Sequence, residues 1–292
     1  MRRHVAFIAA ALGATAAIAG CGGSDNNSSN SNPTPLALKI GENGKTAAFQ
    51  APKTAKGGLV KVELANQGKS PHGVQFIQYA NGHSQQEVLQ LLGGNSNVIP
   101  PWVKLEGGIG SVAPGQTGTA TVNLPGGNYV LVDAAAIGGG GPSSGPPATA
   151  GMILSGGSTG DLPSTPATVS ADTAGEDKYK WDFSGLKTGS NQVTFNSKGE
   201  DAVHLIIAVP VKGQAPPLSQ IQQDLAKNGP PPSYVDPSAT QSSAILDGGL
   251  SQTTTLDLKT PGQYIFFCPL TDRDGKGKSH DQEGLLSVQT VK

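Results

Sequence analysis

Two cysteines and five histidines are the residues of this 292-residue chain that are best suited to chemistry. The cysteines are Cys21 and Cys268, and a thiol in such a chain serves for lipid attachment, for a disulfide or as a metal ligand. The sequence contains no nucleophile elbow, HExxH pair or dinucleotide fingerprint, and its glycines at 138–141 run into a Pro-rich stretch rather than a helix. We therefore predict that the chain is not an enzyme and that its chemistry lies in attachment or binding.

The amino terminus has the features of a lipoprotein signal peptide. Basic residues at 2–4 precede an apolar run at 5–19, which is shorter than the ~20 residues that span a bilayer. The run ends in Ile18-Ala19-Gly20-Cys21, which resembles the lipobox, where the cysteine receives a lipid before cleavage. The alternative is an ordinary secretory signal with a chance cysteine. We predict a signal peptide at residues 1–20 and a bacterial lipoprotein anchored through Cys21 to the extracytoplasmic face of the cell membrane, periplasmic or at the cell surface.

The segment after the predicted anchor indicates a spacer. Residues 21–35 are predicted to form a flexible tether because they are rich in Gly, Ser, Asn and Pro and have no apolar periodicity. Lipidation of Cys21 rules out an internal disulfide and leaves Cys268 as an unpaired thiol in an oxidising compartment. We therefore expect Cys268 to be buried or coordinated to a metal.

Composition and charge limit the fold and the partners. With 41 Gly, 22 Pro and 5% aromatic residues, the chain favours short strands and turns over helical bundles. The formal charge of −1 argues against nucleic acid as a partner, because binding to phosphates requires a basic surface.

Two stretches of the chain follow one order of elements, which indicates an internal repeat. Each predicts a strand, a polar turn and a second strand that begins near a histidine, His72 in the first copy and His204 in the second. A segment with helical spacing follows each histidine strand, at residues 84–92 and 218–225. Each copy then continues through a Pro-rich loop to two more strands.

The repeat predicts an all-β fold of two tandem Greek-key β-sandwiches, each with a short inserted helix. Tyr129 and Tyr264 follow Gly-containing turns at the start of a strand and resemble the corner tyrosine of Greek-key sandwiches, whose hydroxyl bonds to nearby backbone. We place the first domain at residues 36–155, a linker at 156–174 and the second domain at 175–292.

The second copy carries residues in the order of a known metal-binding family. His204 lies on one strand, Cys268 follows the run Tyr264-Ile265-Phe266-Phe267, and His280 precedes Gly284-Leu285. This layout resembles the cupredoxins, the blue copper family, and is similar to cupredoxin-like lipoproteins whose last hairpin reads Phe-Cys, an acidic Asp-Gly loop, then His and Gly-Met. The resemblance implies one copper ion held by His204, Cys268 and His280, because thiolate and imidazole accept both Cu(I) and Cu(II).

Two features depart from the family pattern. Leu285 stands where the family has methionine as a weak axial ligand, which leaves three protein ligands. Eleven residues separate Cys268 from His280, a longer loop than small blue copper proteins have.

The first copy has lost the pattern of ligands. The aligned pairs are His72 with His204, Asp133 with Cys268, Pro147 with His280, and Gly151-Met152 with Gly284-Leu285. We interpret the first domain as one without ligands, and the alternative is a single site shared between the copies.

Each candidate ligand also has a plain structural interpretation. His204 on an apolar strand fits a core histidine, Cys268 fits a small buried hydrophobe, and His280 fits a partner of Asp281 or Asp274 on an exposed loop. The acidic stretch at 272–275 suggests calcium but lacks the further ligands of an EF-hand.

The sequence predicts a membrane-anchored extracytoplasmic cupredoxin-like lipoprotein that binds copper in domain 2 for electron transfer or copper handling. Its expected partners are the membrane, through the lipid anchor, and a redox or envelope protein. The alternative is a metal-free cupredoxin-fold binding or scaffold module of the cell envelope.

Overall fold

The computed structural model describes residues 32–44, 46–94, 97–137, 147–175, 178–227 and 229–292. The predicted signal peptide, Cys21, most of the predicted tether and the glycines at 138–141 lie outside these residues. No helix of the described part is long and apolar enough to cross a membrane.

The first copy is built mainly from strands, with two short helices among its described residues. In chain order its elements are β1 Thr34–Asn43, β2 Thr46–Gln50, β3 Thr54–Lys56, β4 Gly58–Asn66, β5 His72–Tyr79, α1 Gln85–Gly93, β6 Val103–Val112, β7 Thr117–Leu124, β8 Gly127–Val132, α2 Ala134–Ile137 and β9 Thr149–Ser155.

The second copy repeats this order. Its elements are β10 Ala167–Gly175, β11 Lys178–Ser184, β12 Gly189–Ser197, β13 Val203–His204, β14 Ile207–Pro210, α3 Leu218–Leu225, a 3₁₀ turn Pro237–Ala239, β15 Gln241–Ser242, β16 Leu246–Asp247, β17 Ser251–Leu258, β18 Gly262–Phe267 and β19 Leu286–Val291.

Strand pairing confirms the internal repeat. In the first copy β1 runs parallel to β4, β4 antiparallel to β7, and β5 antiparallel to β8. In the second copy β10, β12 and β17 take the same pairings, and β14 pairs with β18 as β5 pairs with β8. Period-two burial explains the strands, since β1 buries Leu36, Leu38 and Ile40 and exposes the residues between them. The predicted all-β architecture of two tandem sandwiches, each with an inserted helix, is therefore confirmed.

The corner tyrosines also behave as predicted. The hydroxyl of Tyr129 donates to the carbonyl of Pro125 at 2.8 Å, and that of Tyr264 donates to the carbonyl of Thr260 at 3.0 Å. Each bond returns four residues back along the chain and fixes the entry of a strand, β8 or β18.

The two sandwiches share their sheets. β17 pairs with β7, with Thr253 opposite Thr121, and this joins both copies in one eight-stranded sheet of order β11-β10-β12-β17-β7-β4-β1-β2. The side-chain amide of Gln75 adds a second connection, because it accepts from the Ile245 amide at 2.7 Å and donates to the Ile245 carbonyl at 3.0 Å. The copies are thus held by backbone pairing and buried polar contacts, which sequence periodicity did not predict.

The predicted boundaries need two corrections. The predicted linker at 156–174 contains most of β10, which pairs in parallel with β12 and buries Ala167, Val169 and Ala171. The predicted tether ends inside β1, which begins at Thr34. β1 and β10 are each the first strand of a domain. The turn signals that flank them in the sequence were too weak to separate either strand from the polar segment before it.

Candidate metal centre

The structure brings the three predicted ligands together. The Nδ1 atoms of His204 and His280 lie 3.0 Å apart, and Cys268 Sγ lies 3.6 Å from Nδ1 of His280. All three ligand atoms lie within 4.8 Å of one another, and all three residues are 0% exposed. Among the described residues no other group of three such side chains meets the same test.

Strand alternation and a closed loop place these side chains. Along β18 the residues Tyr264 and Phe266 are buried, and Cys268 continues this buried series one residue beyond the strand. The Cys268 amide donates to the Leu285 carbonyl at 3.1 Å, the Leu285 amide donates to the His280 carbonyl at 2.7 Å, and the Asp281 amide donates to the Cys268 carbonyl at 2.8 Å. The thiol and the second histidine are therefore held together by backbone as well as by side chains.

The outer nitrogens of both imidazoles have acceptors. Nε2 of His204 faces the carbonyl oxygen of Lys198 at 3.0 Å, and Nε2 of His280 faces Oδ1 of Asp272 at 3.1 Å. A carbonyl and a carboxylate only accept, so each Nε2 carries the ring proton. The predicted partner of His280, Asp281 or Asp274, is thus wrong, and the partner is Asp272 instead.

This assignment leaves two lone pairs that face each other. A neutral ring with its proton on Nε2 has an unprotonated Nδ1, and the two Nδ1 atoms lie 3.0 Å apart with no hydrogen between them. Burial lowers the pKa of His204 to about 3, with a further decrease from His280, and burial also lowers the pKa of His280. Because burial disfavours a proton there, the pair of facing nitrogens is suited to binding another cation.

Two of the three separations between the donor atoms match those expected around one metal ion. Metal–nitrogen bonds of about 2.0 Å place two nitrogens on one ion roughly 3 to 3.5 Å apart, and a sulfur at about 2.3 Å lies somewhat farther from each nitrogen. The observed separations of 3.0 Å and 3.6 Å fall in this order.

Cys268 is protonated unless a cation binds beside it. Burial raises the pKa of its thiol to about 12, although the backbone amides of Leu205 and Leu270 act in the opposite direction and lower it. A metal ion would replace the thiol proton, since a coordinating thiol is deprotonated.

Tyr179 and Asp272 complete the centre and were not predicted as site residues. The ring of Tyr179 packs on both imidazoles, with centroids 4.8 Å from His204 and 4.6 Å from His280. Its hydroxyl donates to Oδ1 of Asp272 at 2.7 Å, the atom that also accepts from His280. The only signal in the sequence was the alternation of Tyr179, Trp181 and Phe183 along one strand.

The long loop between Cys268 and His280 contacts the first copy. The amide of Ile99 donates to the Arg273 carbonyl at 2.7 Å, and the Arg273 guanidinium donates to the Pro100 carbonyl at 3.0 Å. The same guanidinium pairs with Asp247, which is nearly buried. The loop's extra length therefore reaches the neighbouring domain, and its acidic residues do not converge as calcium ligands would.

The first copy keeps the framework of the centre with different chemistry. Oδ2 of Asp133 lies 2.6 Å from Nδ1 of His72, and Oδ1 accepts from the amides of Gly73 at 2.8 Å and Ala135 at 3.2 Å. In the first copy one amide belongs to the residue after the histidine and the other to the second residue after the acid. In the second copy the amides of Leu205 and Leu270 hold the same two positions, relative to the histidine and to Cys268. The predicted equivalence of Asp133 and Cys268 is borne out by this geometry, and a carboxylate–imidazole contact occupies the first copy's site.

The alignment of Met152 with Leu285 is wrong. The Asp133 amide donates to Ala148, whereas the Cys268 amide donates to Leu285, so Ala148 is the counterpart of Leu285. Met152 instead pairs with Tyr129 across β8 and β9 and is buried in the first core, so it does not belong to the cluster of three ligands. Pro147 is exposed and next to residues outside the described part.

Comparisons with known proteins describe what the chain is similar to. No protein-family model and no curated protein matches it. Among solved structures it is similar to a copper-containing nitrite reductase from Thermus scotoductus at 12% identity, 88% coverage of this chain and 61% of that one, with a TM-score of 0.24. A blue copper oxidase from Nitrosomonas europaea matches at 15% identity, 88% and 85% coverage and a TM-score of 0.25.

An auracyanin from Roseiflexus castenholzii matches at 17% identity, 42% coverage of this chain and 98% of that one, with a TM-score of 0.26. These proteins include enzymes as well as an auracyanin, so the prediction that the chain is not an enzyme stays a prediction. At such identities and TM-scores the matches carry no functional argument, and the interpretation below rests on the geometry of the ligands.

Proposed function

We propose that the chain is an extracytoplasmic cupredoxin-like protein that binds one copper ion through His204, Cys268 and His280 and transfers single electrons. The observation that carries this proposal is the 3.0 Å approach of the two Nδ1 atoms beside a buried thiol, with both Nε2 atoms facing acceptors. Copper bound there would supply a one-electron couple between Cu(I) and Cu(II), which a thiolate and two imidazoles both accommodate.

The number and type of ligands favour copper over zinc. Structural zinc takes four protein ligands, and catalytic zinc keeps a water in the fourth position. Within the described residues the cluster has three ligands, and Leu285, beside Cys268, is buried and apolar. The second copy contains no methionine, so a thioether ligand from it is excluded.

Complete burial of the ligands favours electron transfer over copper delivery. A delivery site hands its ion to a partner's ligands, which requires a ligand at the surface. His204, Cys268 and His280 are each 0% exposed, whereas an electron can leave a buried ion without contact to the ligands themselves.

The membrane location is part of the same proposal. The apolar run at 5–19 and the lipobox-like sequence before Cys21 support a lipid anchor, and an unpaired thiol at Cys268 suits an oxidising compartment when a metal holds it. The proposed partner is a soluble or envelope redox protein within reach of the tether. Mass spectrometry of the protein isolated from membranes tests the anchor. We expect a diacylglyceryl group on Cys21 and its loss in Cys21→Ser.

Copper binding is tested on a chain that begins at Gly22, which keeps all of β1. We expect one copper per chain, a thiolate-to-copper charge-transfer band in the visible spectrum, and its reversible loss and return with ascorbate and ferricyanide. Cys268→Ser removes the band, while His83→Ala is the matched control because His83 stacks on Trp102, away from the cluster.

A metal-free scaffold is the outcome that would contradict the proposal. It predicts no stoichiometric copper and no charge-transfer band. Binding of one zinc with no preference for copper would contradict the redox role but keep the metal site.

A further inference from the structure

We infer that Tyr179 is a positioning residue that closes the metal chamber, holding both histidine ligands and excluding anions and water from the copper ion. This inference rests on the proposed copper site and assigns the wall of that site to a strand that carries none of its ligands. Tyr179 lies on β11, the outermost strand of the eight-stranded sheet.

The Tyr179 ring packs on both ligand imidazoles and is less completely buried than they are. It meets His204 edge-on at an interplanar angle of 78° and His280 at 56°, so a single ring covers both imidazoles. The three ligand residues have no exposure, while Tyr179 keeps 9% and the Asp272 side chain 25%. The wall of the chamber at this point therefore consists of Tyr179 and Asp272.

The Tyr179 hydroxyl links this wall to a ligand. Oδ1 of Asp272 accepts from Tyr179 at 2.7 Å and from Nε2 of His280 at 3.1 Å. One carboxylate oxygen thus fixes the tyrosine ring and the tautomer of the histidine together, as partners of metal ligands commonly do.

The Tyr179 backbone is fixed to the ligand segment as well. Its amide donates to the carbonyl of Glu283 at 2.9 Å. Gly284 has a φ of +124°, and a Cβ there would collide with the Tyr179 carbonyl oxygen. This close approach holds β11 against the residues that follow His280.

Among the described residues of the first copy, no aromatic ring packs on His72. There Nε2 of His72 faces Oε1 of Glu42 at 3.1 Å, so a carboxylate stands at a position where the second copy has a carbonyl and an aromatic ring. The aromatic wall belongs to the copy that has the ligands.

The test uses the full chain loaded with copper and compares Tyr179→Ala, Tyr179→Leu and Tyr179→Phe with Tyr234→Ala as a matched control. Tyr234 packs against Ile221, Val235 and Ile265, which form an apolar cluster beside α3, away from the ligands, that we call the outer cluster. Azide probes whether an anion can reach the copper ion, and its binding is followed by visible and electron paramagnetic resonance spectra. The rate at which copper transfers to a chelator measures how well the protein retains copper.

Tyr179→Ala is expected to bind azide and to release copper faster by about 10- to 100-fold, the usual effect of losing a partner of a metal ligand. Tyr179→Phe keeps the ring and is expected to exclude azide, with a shifted charge-transfer band because the bond to Asp272 is gone. Tyr179→Leu keeps apolar bulk at this position and serves if the alanine variant fails to fold. Its azide binding and its rate of copper release are expected to lie between those of Tyr179→Ala and Tyr179→Phe.

The inference is overturned if copper-loaded Tyr179→Ala or Tyr179→Leu excludes azide and retains copper as the wild type does. It is also overturned if Tyr234→Ala produces the same change, because the effect would then reflect general loosening. Absence of copper from the wild type overturns the proposed function and this inference together, whereas normal wild-type copper with unaffected variants overturns the inference alone.

Discussion

The Nδ1 atoms of His204 and His280 lie 3.0 Å apart, and the Nε2–H group of each ring donates a hydrogen bond to a separate acceptor. The carbonyl of Lys198 fixes one tautomer and the carboxylate of Asp272 fixes the other. With the thiol of Cys268 at 3.6 Å from His280, the protein presents two lone pairs and a sulfur toward one another in its buried interior. Such an arrangement favours a bound cation.

Loss of the Asp272 carboxylate should weaken copper binding. Asp272→Ala removes the acceptor that orients His280, and we expect copper affinity to fall about 10- to 100-fold, measured by competition with a chelator. Asp274→Ala is the matched control, because that carboxylate is exposed and contacts Lys276. Equal affinity of wild type and Asp272→Ala would contradict the assigned tautomer of His280.

A thioether at position 285 should lower the reduction potential of the copper. Leu285 is fully buried, and its backbone bonds to Cys268 and to His280. In Leu285→Met the added sulfur would donate to the ion and stabilise Cu(II) relative to Cu(I). Voltammetry checks this, with Leu286→Met as control because Leu286 packs in the outer cluster. A potential that is unchanged or higher in Leu285→Met would place Leu285 outside the ligand sphere.

The contact in the first copy should matter for stability and not for copper. Asp133→Ala leaves His72 and two buried amides without their acceptor, and we expect a loss of about 3 kcal/mol in the free energy of unfolding. Chemical denaturation measures this loss, and Asp133→Asn should lose less because it keeps an acceptor. Copper stoichiometry should remain one per chain, and its loss in Asp133→Ala would revive a site shared between the copies.

Stability should fall as the pH rises through the range set by Glu106. Burial, and then the nearby Asp247, raises the pKa of Glu106 from 4.5 to about 7. Between these two pH values the folded chain holds a proton that the unfolded chain has released. The contribution of Glu106 to the free energy of unfolding is therefore largest below about pH 4.5 and decreases as the pH rises to about 7.

Glu106→Gln removes this dependence. We expect the variant to be more stable than the wild type by about 3 kcal/mol at pH 8 and similar to it at pH 4.5, since each pKa unit corresponds to about 1.4 kcal/mol. Thermal and chemical unfolding at both pH values measure the difference. Glu63→Gln is the control, because the Glu63 side chain is half-exposed and pairs with Lys61 at the surface. A pH-independent difference between Glu106→Gln and the wild type would contradict the raised pKa.

The sequence was sufficient for the parts that depend on local pattern. The pattern of apolar and polar residues predicted β4, β7 and β18, helical spacing predicted α1 and α3, and the family resemblance predicted the three residues that the structure brings together. Each of these depends on residues that are neighbours along the chain or on a motif with fixed order.

The remaining parts depend on contacts between distant segments. Pairing of β17 with β7 joins residues more than 100 positions apart, and Tyr179 lies 25 positions from His204 and 101 from His280, so no periodicity encodes these contacts. The partner of His280 was missed because the fold of the loop decides which of the nearby aspartates, Asp272, Asp274 or Asp281, faces the ring. Met152 was misaligned because counting along loops of unequal length does not preserve strand register.

X-ray absorption at the copper edge of the reconstituted chain tests the central claim most directly. The account predicts two nitrogen atoms at about 2.0 Å and one sulfur at about 2.2 Å around the ion, with the sulfur lost in Cys268→Ser. A first shell of nitrogen and oxygen alone in the wild type, or one left unchanged by Cys268→Ser, would contradict it.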